Sequence, residues 1–216
     1  QALGQDNGEF VICRITSMGD TSFLNLDSLL PNAFPLDHLA TKTNGFVLAG
    51  GTSTGRTWVS AFDSIGSVIW QHELNQSGGL GDFKRIKRLN DDGYLIVGDR
   101  LTDNNLFFQD IVATRIDSIG NVLWEIHFPL INNQTAHDFV EMPDGSFFIS
   151  GYSETVALGA TPYILQIDIN GNLIQEHYPQ PAGFSNMNIY YSAIILNDDG
   201  TAILSGESSE PINSRK

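Results

Sequence analysis

The stretch Asp92–Gly98, which reads DGYLIVG, decides the fold because the chain repeats it. Its pattern is Asp-Gly or Asn-Gly, then aliphatic and aromatic residues, then a closing glycine. Three further copies are Asn44–Gly50 (NGFVLAG), Asp144–Gly151 (DGSFFISG) and Asp199–Gly206 (DGTAILSG). The first glycines of successive copies are 48, 52 and 55 residues apart. Such pairs close β-hairpins and the runs after them have the composition of strands, so the chain is predicted to repeat one β-unit of about 50 residues.

A second element recurs with the same period. It reads RIDSIG at Arg115–Gly120, and its other copies are Arg14–Gly19 (RITSMG), Ala61–Gly66 (AFDSIG) and Gln166–Gly171 (QIDING). Its final glycines are 47, 54 and 51 residues apart. In a short turn the Asp side chain can accept hydrogen bonds from backbone N–H groups, while the glycine takes a positive φ. Each repeat is therefore predicted to contain two hairpin turns.

Two turns divide each repeat into four short strands, named a to d in chain order. In the clearest copy we predict them at 83–89, 94–98, 110–116 and 121–128. No stretch of the sequence has a sustained 3.6-residue period, so no long helix is predicted. Four-stranded antiparallel units with this period predict an all-β fold, a β-propeller built from such blades. A β-sandwich with coincidental internal similarity is the alternative.

The whole chain, 1–216, is predicted to be a single β-propeller domain. We place its repeats at 36–74, 82–128 and 135–178, with a fourth at 189–206 that is completed by 9–26. The chain then begins with strands c and d and ends with strands a and b, which is four blades' worth of sequence. Pairing the two ends would remove the open edges. We expect a closed four-bladed ring, or part of a larger propeller in a longer parent protein or in a self-associated pair of chains.

Aromatic residues follow the turn glycine by four positions in three copies, as Phe23, Trp70 and Trp124, while Gln175 takes this position in the fourth. A large ring at a fixed place in strand d is interpreted as packing between blades. The lone cysteine, Cys13, lies in the apolar run FVIC, and we predict a buried, inert thiol there.

The charge of the chain limits its partners. There are 11 basic and 25 acidic residues among 216, a net charge of −14. A surface of this sign repels nucleic acid and anionic membranes, so we expect no nucleic-acid partner. No apolar run in the sequence approaches the length of a membrane span, so no membrane insertion is expected.

The best-formed copies, Arg115–Trp124 (RIDSIGNVLW) and Asp91–Gly98 (DDGYLIVG), resemble a known group of repeats. They are similar to the β-propeller repeats of large secreted proteins of Bacteroidetes-type bacteria, which often precede a sorting domain for type IX secretion. The resemblance covers nearly the whole chain. It implies an extracellular or cell-surface module with a non-enzymatic role, serving as a structural scaffold or binding a protein or a glycan.

The sequence contains none of the motifs HExxH, GxSxG, paired cysteines, a phosphate-binding loop or a dinucleotide fingerprint. We therefore predict no catalytic, cofactor-binding or metal-binding residues and no enzyme activity. His72 and His177 each follow a turn glycine by six residues, but on different repeats, so a shared metal is not expected. The alternative is a carbohydrate-active propeller enzyme, whose Asp or Glu residues would come from different blades and converge within about 10 Å at one mouth of the channel.

Three triplets place a serine between an aspartate and an aliphatic residue: Asp27-Ser28-Leu29, Asp63-Ser64-Ile65 and Asp117-Ser118-Ile119. They are similar to the O-glycosylation signal of exported Bacteroidetes-type proteins, which makes Ser28, Ser64 and Ser118 candidate modification sites. Ser64 and Ser118 fall in predicted hairpin turns, where a hydroxyl is expected to face solvent. The alternative is that Asp-Ser is favoured there because it makes a good turn.

Overall fold

The computed structural model describes residues 11–15, 17–25, 33–52, 56–74, 81–102, 105–129, 133–155, 159–179, 182 and 187–209. Over these ranges the backbone forms strands and turns, and it forms no helix. No helix suited to crossing a membrane therefore occurs among them. The prediction of an all-β fold is confirmed.

The strands form antiparallel sheets of two or four, and each sheet keeps the order of the chain. The first sheet contains β1 (Val11–Ile15) and β2 (Thr21–Asn25). The second contains β3 (Ala33–Ala40), β4 (Phe46–Thr52), β5 (Thr57–Phe62) and β6 (Val68–Leu74). The third contains β7 (Gly81–Arg88), β8 (Tyr94–Thr102), β9 (Asn105–Ile116) and β10 (Val122–Phe128). The fourth contains β11 (Asn133–Glu141), β12 (Phe147–Thr155), β13 (Gly159–Ile167) and β14 (Leu173–His177), and the last contains β15 (Asn188–Leu196) and β16 (Ala202–Ser209).

The predicted four-stranded antiparallel units and the two-stranded ends are confirmed. In the third sheet, however, β8 continues to Thr102, four residues beyond the predicted end at Gly98. Among the described residues, β1 pairs only with β2 and β16 pairs only with β15. One edge of β1 and one edge of β16 are therefore unpaired, and no sheet closes on itself.

A β-bulge interrupts the first strand of the second, third, fourth and last sheets. The bulged residues are Leu36, Lys84, His137 and Ser192, and the glycines that face the bulges are Gly50, Gly98, Gly151 and Gly206. The reason for glycine is close approach of the backbone. A Cβ atom on Gly151 would lie 1.7 Å from the Thr135 carbonyl oxygen, and one on Gly206 would lie 2.0 Å from the Tyr190 carbonyl oxygen. The closing glycine of the repeat is thus an internal strand residue that makes room for a bulge.

The apolar core lies between successive sheets, which stack face to face in chain order. One cluster joins the second and third sheets, with Val47 and Val59 against Ile86 and Ile96. A larger cluster joins the third and fourth sheets, through residues such as Leu95, Phe139, Phe147, Tyr163 and Leu165. The third sheet is therefore buried on both faces, which explains why 94–97 and 111–113 of its central strands are apolar at consecutive rather than at alternate positions.

The tryptophans of strand d lie between sheets, as predicted. A Cβ atom on Gly120 would lie 2.5 Å from the Trp70 ring, so Trp70 covers a turn of the third sheet. Trp124 and Ile126 together cover Gly171 of the fourth sheet, and the Trp124 indole N–H donates to the Ile169 carbonyl at 3.1 Å. Each ring thus fixes the turn of the following sheet.

Phe23 departs from its prediction because of a difference in register, and Cys13 departs from its own because it lies on the face of β1 opposite to Ile12, the residue that packs against the second sheet. Strands β5 and β6 pair through a bulge that places Trp70 opposite Ala61, whereas β1 and β2 pair without one and place Phe23 opposite Cys13. A one-residue shift in register reverses the face on which a side chain lies. Phe23 is 71% exposed and Cys13 is also exposed, so inter-sheet packing is wrong for Phe23, and burial is wrong for Cys13. Leu24 covers the next turn glycine instead.

Candidate functional site

Charged side chains gather where the bulged first strands β3, β7 and β11 lie near one another. We call this group the first-strand network, and its members are Asp37, Lys84, Arg85, Lys87, Asp99 and Asp138. Asp37, Arg85 and Asp138 occupy the same place, one residue after the bulge of their strand. The local sequence positions them because the bulge turns the following side chain toward the neighbouring sheet.

Asp37 and Asp138, the aspartates that follow a bulge, make equivalent pairs of hydrogen bonds. One oxygen of Asp37 accepts from the next backbone N–H, of His38, at 2.9 Å, and the other accepts from the Ile86 N–H of the third sheet at 2.9 Å. Asp138 likewise accepts from the Phe139 N–H at 2.9 Å and from the Ile194 N–H of the last sheet at 3.1 Å. Each carboxylate therefore joins its own sheet to the sheet that follows.

The third sheet has Arg85 at this position and is joined to the fourth by other bonds. Asp99 accepts from the Ala136 N–H at 2.7 Å, and the Lys87 ammonium donates to the Phe139 carbonyl at 2.6 Å. Arg85 lies 3.7 Å from a carboxylate oxygen of Asp37 and 3.5 Å from one of Asp138, which places a cation between the two aspartates.

The negative charge of the buried Asp138 carboxylate is compensated by neighbouring cations. The Asp138 side chain is 8% exposed and has two cationic neighbours, since the Lys87 ammonium lies 2.5 Å from one of its oxygens in addition to Arg85. Burying a carboxylate is costly unless it is paired and hydrogen-bonded, and here both conditions hold. The cations reach the site along stems that stay partly exposed, as is usual for Lys and Arg.

Asp37 and Asp138 share Arg85 as a neighbour, so we compare them with the convergent pair expected of a glycosidase. All four of their oxygens accept a backbone hydrogen bond, and Arg85 lies between them. A general acid or a nucleophile must present an oxygen to the substrate. Chemically, this arrangement is suited to holding strands together.

The Asp-Ser turns have the geometry that the sequence predicted. One Asp63 oxygen accepts from the Ile65 N–H at 2.9 Å and from the Ser67 N–H at 2.8 Å, and Asp117 repeats the arrangement. Ser64 and Ser118 are exposed at the tips of these turns. Ser28 lies outside the described residues. The two described serines belong to successive sheets, and nothing in the turns themselves distinguishes a modified serine from a turn-forming one.

The turn at Asp168 shows the same chemistry and its electrostatic effect. The side-chain hydrogen bond from Asn172 and backbone N–H donors hold the pKa of Asp168 below its usual value. The backbone donors are Asn170 and Asn172, each at 2.8 Å. Asp168 is therefore a turn-stabilising carboxylate.

The histidines do not form a metal site in the described part of the chain, where no group of three or more His, Cys, Asp or Glu side chains is placed to hold an ion. His72 and His177 lie on β6 and β14, on different sheets, as predicted. His72 contacts the Trp70 ring, and His177 lies 3.4 Å from the Gln166 amide oxygen. Both positions are explained by local packing.

The first-strand network was missed by sequence reasoning, although a signal for it exists. Asp37, Arg85 and Asp138 precede the first glycine of the DGYLIVG-type element by eight, eight and seven residues respectively. A charged residue that recurs at nearly the same offset in strand a of three repeats would have pointed to a polar contact between sheets.

No family model and no curated protein matches the chain. Among solved structures, an α-L-arabinofuranosidase from Lactobacillus brevis aligns at 8% identity and a TM-score of 0.43, covering 80% of this chain and 66% of that one, slightly less than two thirds of its length. A hypothetical protein from Leishmania major aligns at 9% identity and a TM-score of 0.29, covering 86% and 88%. Similarity at this level supports no conclusion about the activity of this chain.

Proposed function

We propose that the chain is a β-propeller module in which each four-stranded sheet is a blade. The face-to-face order of the sheets along the chain supports this, as does the contact between the first strands β3 and β7 and between β11 and β15. In the proposed ring, β15–β16 supply strands a and b of a fourth blade, and β1–β2 supply its strands c and d. The pairing takes place within one chain, or between chains that build a larger ring.

Two observations near β1 support this closure. Among the described residues, no atom lies within 4 Å of the Cβ position of Gly19, whereas the equivalent turn glycines Gly66, Gly120 and Gly171 are each covered by the preceding sheet. A cavity of about 560 Å³ also lies between β1 and β3–β4, lined by residues that include Val11, Arg14 and Pro35. An a–b strand pair beside β1 would fill this space, and a preceding blade would cover Gly19.

We propose that the module is a non-enzymatic scaffold or binding unit on the cell surface or outside the cell. The observation that carries this proposal is the use of all four oxygens of Asp37 and Asp138 in backbone hydrogen bonds between and within sheets. Ser64 and Ser118 are its proposed O-glycosylation sites, because both are exposed at turn tips where a glycan would leave the strand pairing undisturbed.

The enzymatic alternative is tested with a panel of chromogenic aryl glycosides that includes an α-L-arabinofuranoside. We expect no hydrolysis above the buffer rate for the wild-type chain or for Asp37→Asn. Hydrolysis by the wild type that disappears in Asp37→Asn or Asp138→Asn, with circular dichroism unchanged, would make these carboxylates catalytic and would overturn the scaffold proposal.

A further inference from the structure

A cleft of about 570 Å³ lies between the fourth sheet and the last hairpin. The lining residues that matter here are His137, Tyr152, Tyr190, Ser192, Ser205 and Glu207. His137 and Ser192 are the bulged residues of β11 and β15. Bulges redirect side chains out of the regular alternation, and here two of them direct their residues into the same cleft. The volume falls within the range that small-molecule sites usually have.

Aromatic rings form one wall of this cleft. The rings of Tyr152 and Tyr190 meet edge to face with centroids 4.8 Å apart, and the His137 ring lies 5.6 Å from that of Tyr152 at an angle of 32°. All three residues are partly exposed. The rings therefore belong to an open wall and not to the sealed core between the sheets.

Polar groups surround the aromatic wall. Glu207 and Ser205 are exposed on β16, and the Ser192 hydroxyl donates to the Ser205 carbonyl at 3.4 Å. The His137 Nε2 atom is buried and has no hydrogen-bond partner within the described part of the chain. Because that nitrogen is closed to solvent, His137 contributes the side of its ring to the cleft, and the polar groups open to a ligand are Ser205 and Glu207.

Glu207 is the acidic side chain among the residues that line the cleft. Glu207 and the overall charge of −14 disfavour an anion. On the His137 side, burial and the positive charges of Lys84 and Arg85 lower the pKa of the imidazole, so His137 adds no positive charge to the cleft at pH 7. Lys84 and Arg85 themselves are paired with Asp99, Asp37 and Asp138. A neutral molecule with an apolar face and several hydroxyl groups matches both the rings and the polar rim.

We propose that this cleft binds a saccharide, with one sugar ring lying on the Tyr152–Tyr190 wall. The C–H face of the sugar packs on the face of one tyrosine ring and against the edge of the other, and its hydroxyls bond to the Glu207 carboxylate and the Ser205 hydroxyl. This inference rests on the proposed binding role of the module and assigns it a ligand class and a site.

The test uses ligand-observed saturation-transfer NMR on the full chain. The probes are the methyl glycosides of glucose, galactose, mannose, xylose, arabinose and N-acetylglucosamine, with glucuronate and tetramethylammonium as charged comparisons. We expect at least one neutral glycoside to bind and both charged probes to give no signal. Absence of binding by every glycoside, or binding of tetramethylammonium in their place, would overturn the saccharide assignment.

Variants locate the site. We expect Tyr190→Ala and Glu207→Gln each to weaken glycoside binding about tenfold, since each removes one contact of moderate strength. Glu73→Gln is the matched control for Glu207→Gln, because Glu73 is an exposed carboxylate on the second sheet, and the affinity of this variant should equal that of the wild type. Glu207→Gln is exposed and conservative, so it remains informative if Tyr190→Ala is poorly folded. Binding that survives both cleft substitutions would place the sugar elsewhere and would leave the propeller proposal, which concerns strand pairing, unaffected.

Discussion

Replacing Asp138 with alanine removes the most heavily bonded carboxylate of the first-strand network. Its two oxygens accept from the N–H groups of Phe139 and Ile194, and both of these residues are 1% exposed. The substitution leaves the two donors buried without an acceptor. It also removes the carboxylate that faces Lys87 and Arg85.

The magnitude follows from the burial of each partner. A buried backbone donor left without an acceptor costs about 1–3 kcal/mol, so two of them cost about 2–6 kcal/mol if no water enters. The side chains of Lys87 and Arg85 are 35% and 39% exposed and regain water, so losing their ion pairs adds little. We therefore expect Asp138→Ala to lower the free energy of unfolding by about 3–5 kcal/mol, the range for removing one partner of a buried ionic contact.

The assay is unfolding in urea followed by tryptophan fluorescence, with the midpoint compared at unchanged denaturant dependence. Asp37→Ala should fall in a similar range, because Asp37 makes the equivalent pair of bonds. Glu73→Ala is the control, since its ion pair with Arg56 is solvent-exposed and should be worth less than about 1 kcal/mol. A loss below about 1 kcal/mol for Asp138→Ala would refute the view that this carboxylate holds the sheets together.

Four further predictions concern other parts of the molecule. Trp124→Ala should lower the free energy of unfolding by about 3 kcal/mol in the same urea assay, since Trp124 packs between sheets. Phe23→Ala should change it by less than about 0.5 kcal/mol, because Phe23 is 71% exposed. The hydrogen bonds from Asn172 and the backbone lower the pKa of Asp168 in the folded state, so its stabilisation is complete above the ordinary carboxyl pKa of about 4 and is lost as the pH falls. Asp168→Asn should therefore unfold more easily than the wild type near neutral pH and converge with it in acid, and equal stability at neutral pH would contradict this. Deleting residues 1–26 should expose strand edges and cause aggregation on size-exclusion chromatography, while a monomer of unchanged stability would contradict the closure. Intact-mass spectrometry of protein from its native host should show hexose-sized additions that map to Ser64 or Ser118, and a mass equal to the bare chain would remove the glycosylation proposal.

The repeat could be read from the sequence because the turn residues are under strict local constraint. Asp63 accepts two turn N–H groups, and Gly66 has the positive φ that a short turn needs. These constraints act within a few residues, so their spacing along the chain reveals the strands. The predicted end of β8 came too early because Gly98 was interpreted as the last residue of the strand. In the structure Gly98 lies within β8 and faces the bulge of β7.

The polar contacts between sheets could not be read from local patterns. Whether Asp138 meets Ile194 depends on the bulge in β11 and on how the last hairpin packs, which joins residues 56 positions apart. The orientation of Phe23 could not be predicted from its repeat either. Because the pairing of β1 with β2 lacks a bulge, the Phe23 side chain lies on the opposite face of the sheet from that of Trp70. The aromatic cleft is formed by two bulges in different repeats, and no single motif contains it.

Hydrogen exchange at the two unpaired strands tests the propeller proposal most directly. In β1 and β16, some backbone N–H groups point away from the hairpin partner. These groups have no hydrogen bond within the sheet unless another strand pairs with them. The proposed closure predicts that these amides exchange as slowly as those of β8 and β12. If the ring closes within one chain, their exchange rate is independent of protein concentration. If it closes between chains, their exchange slows as the protein concentration rises. Fast exchange of the outward amides of both strands at every concentration would contradict the ring.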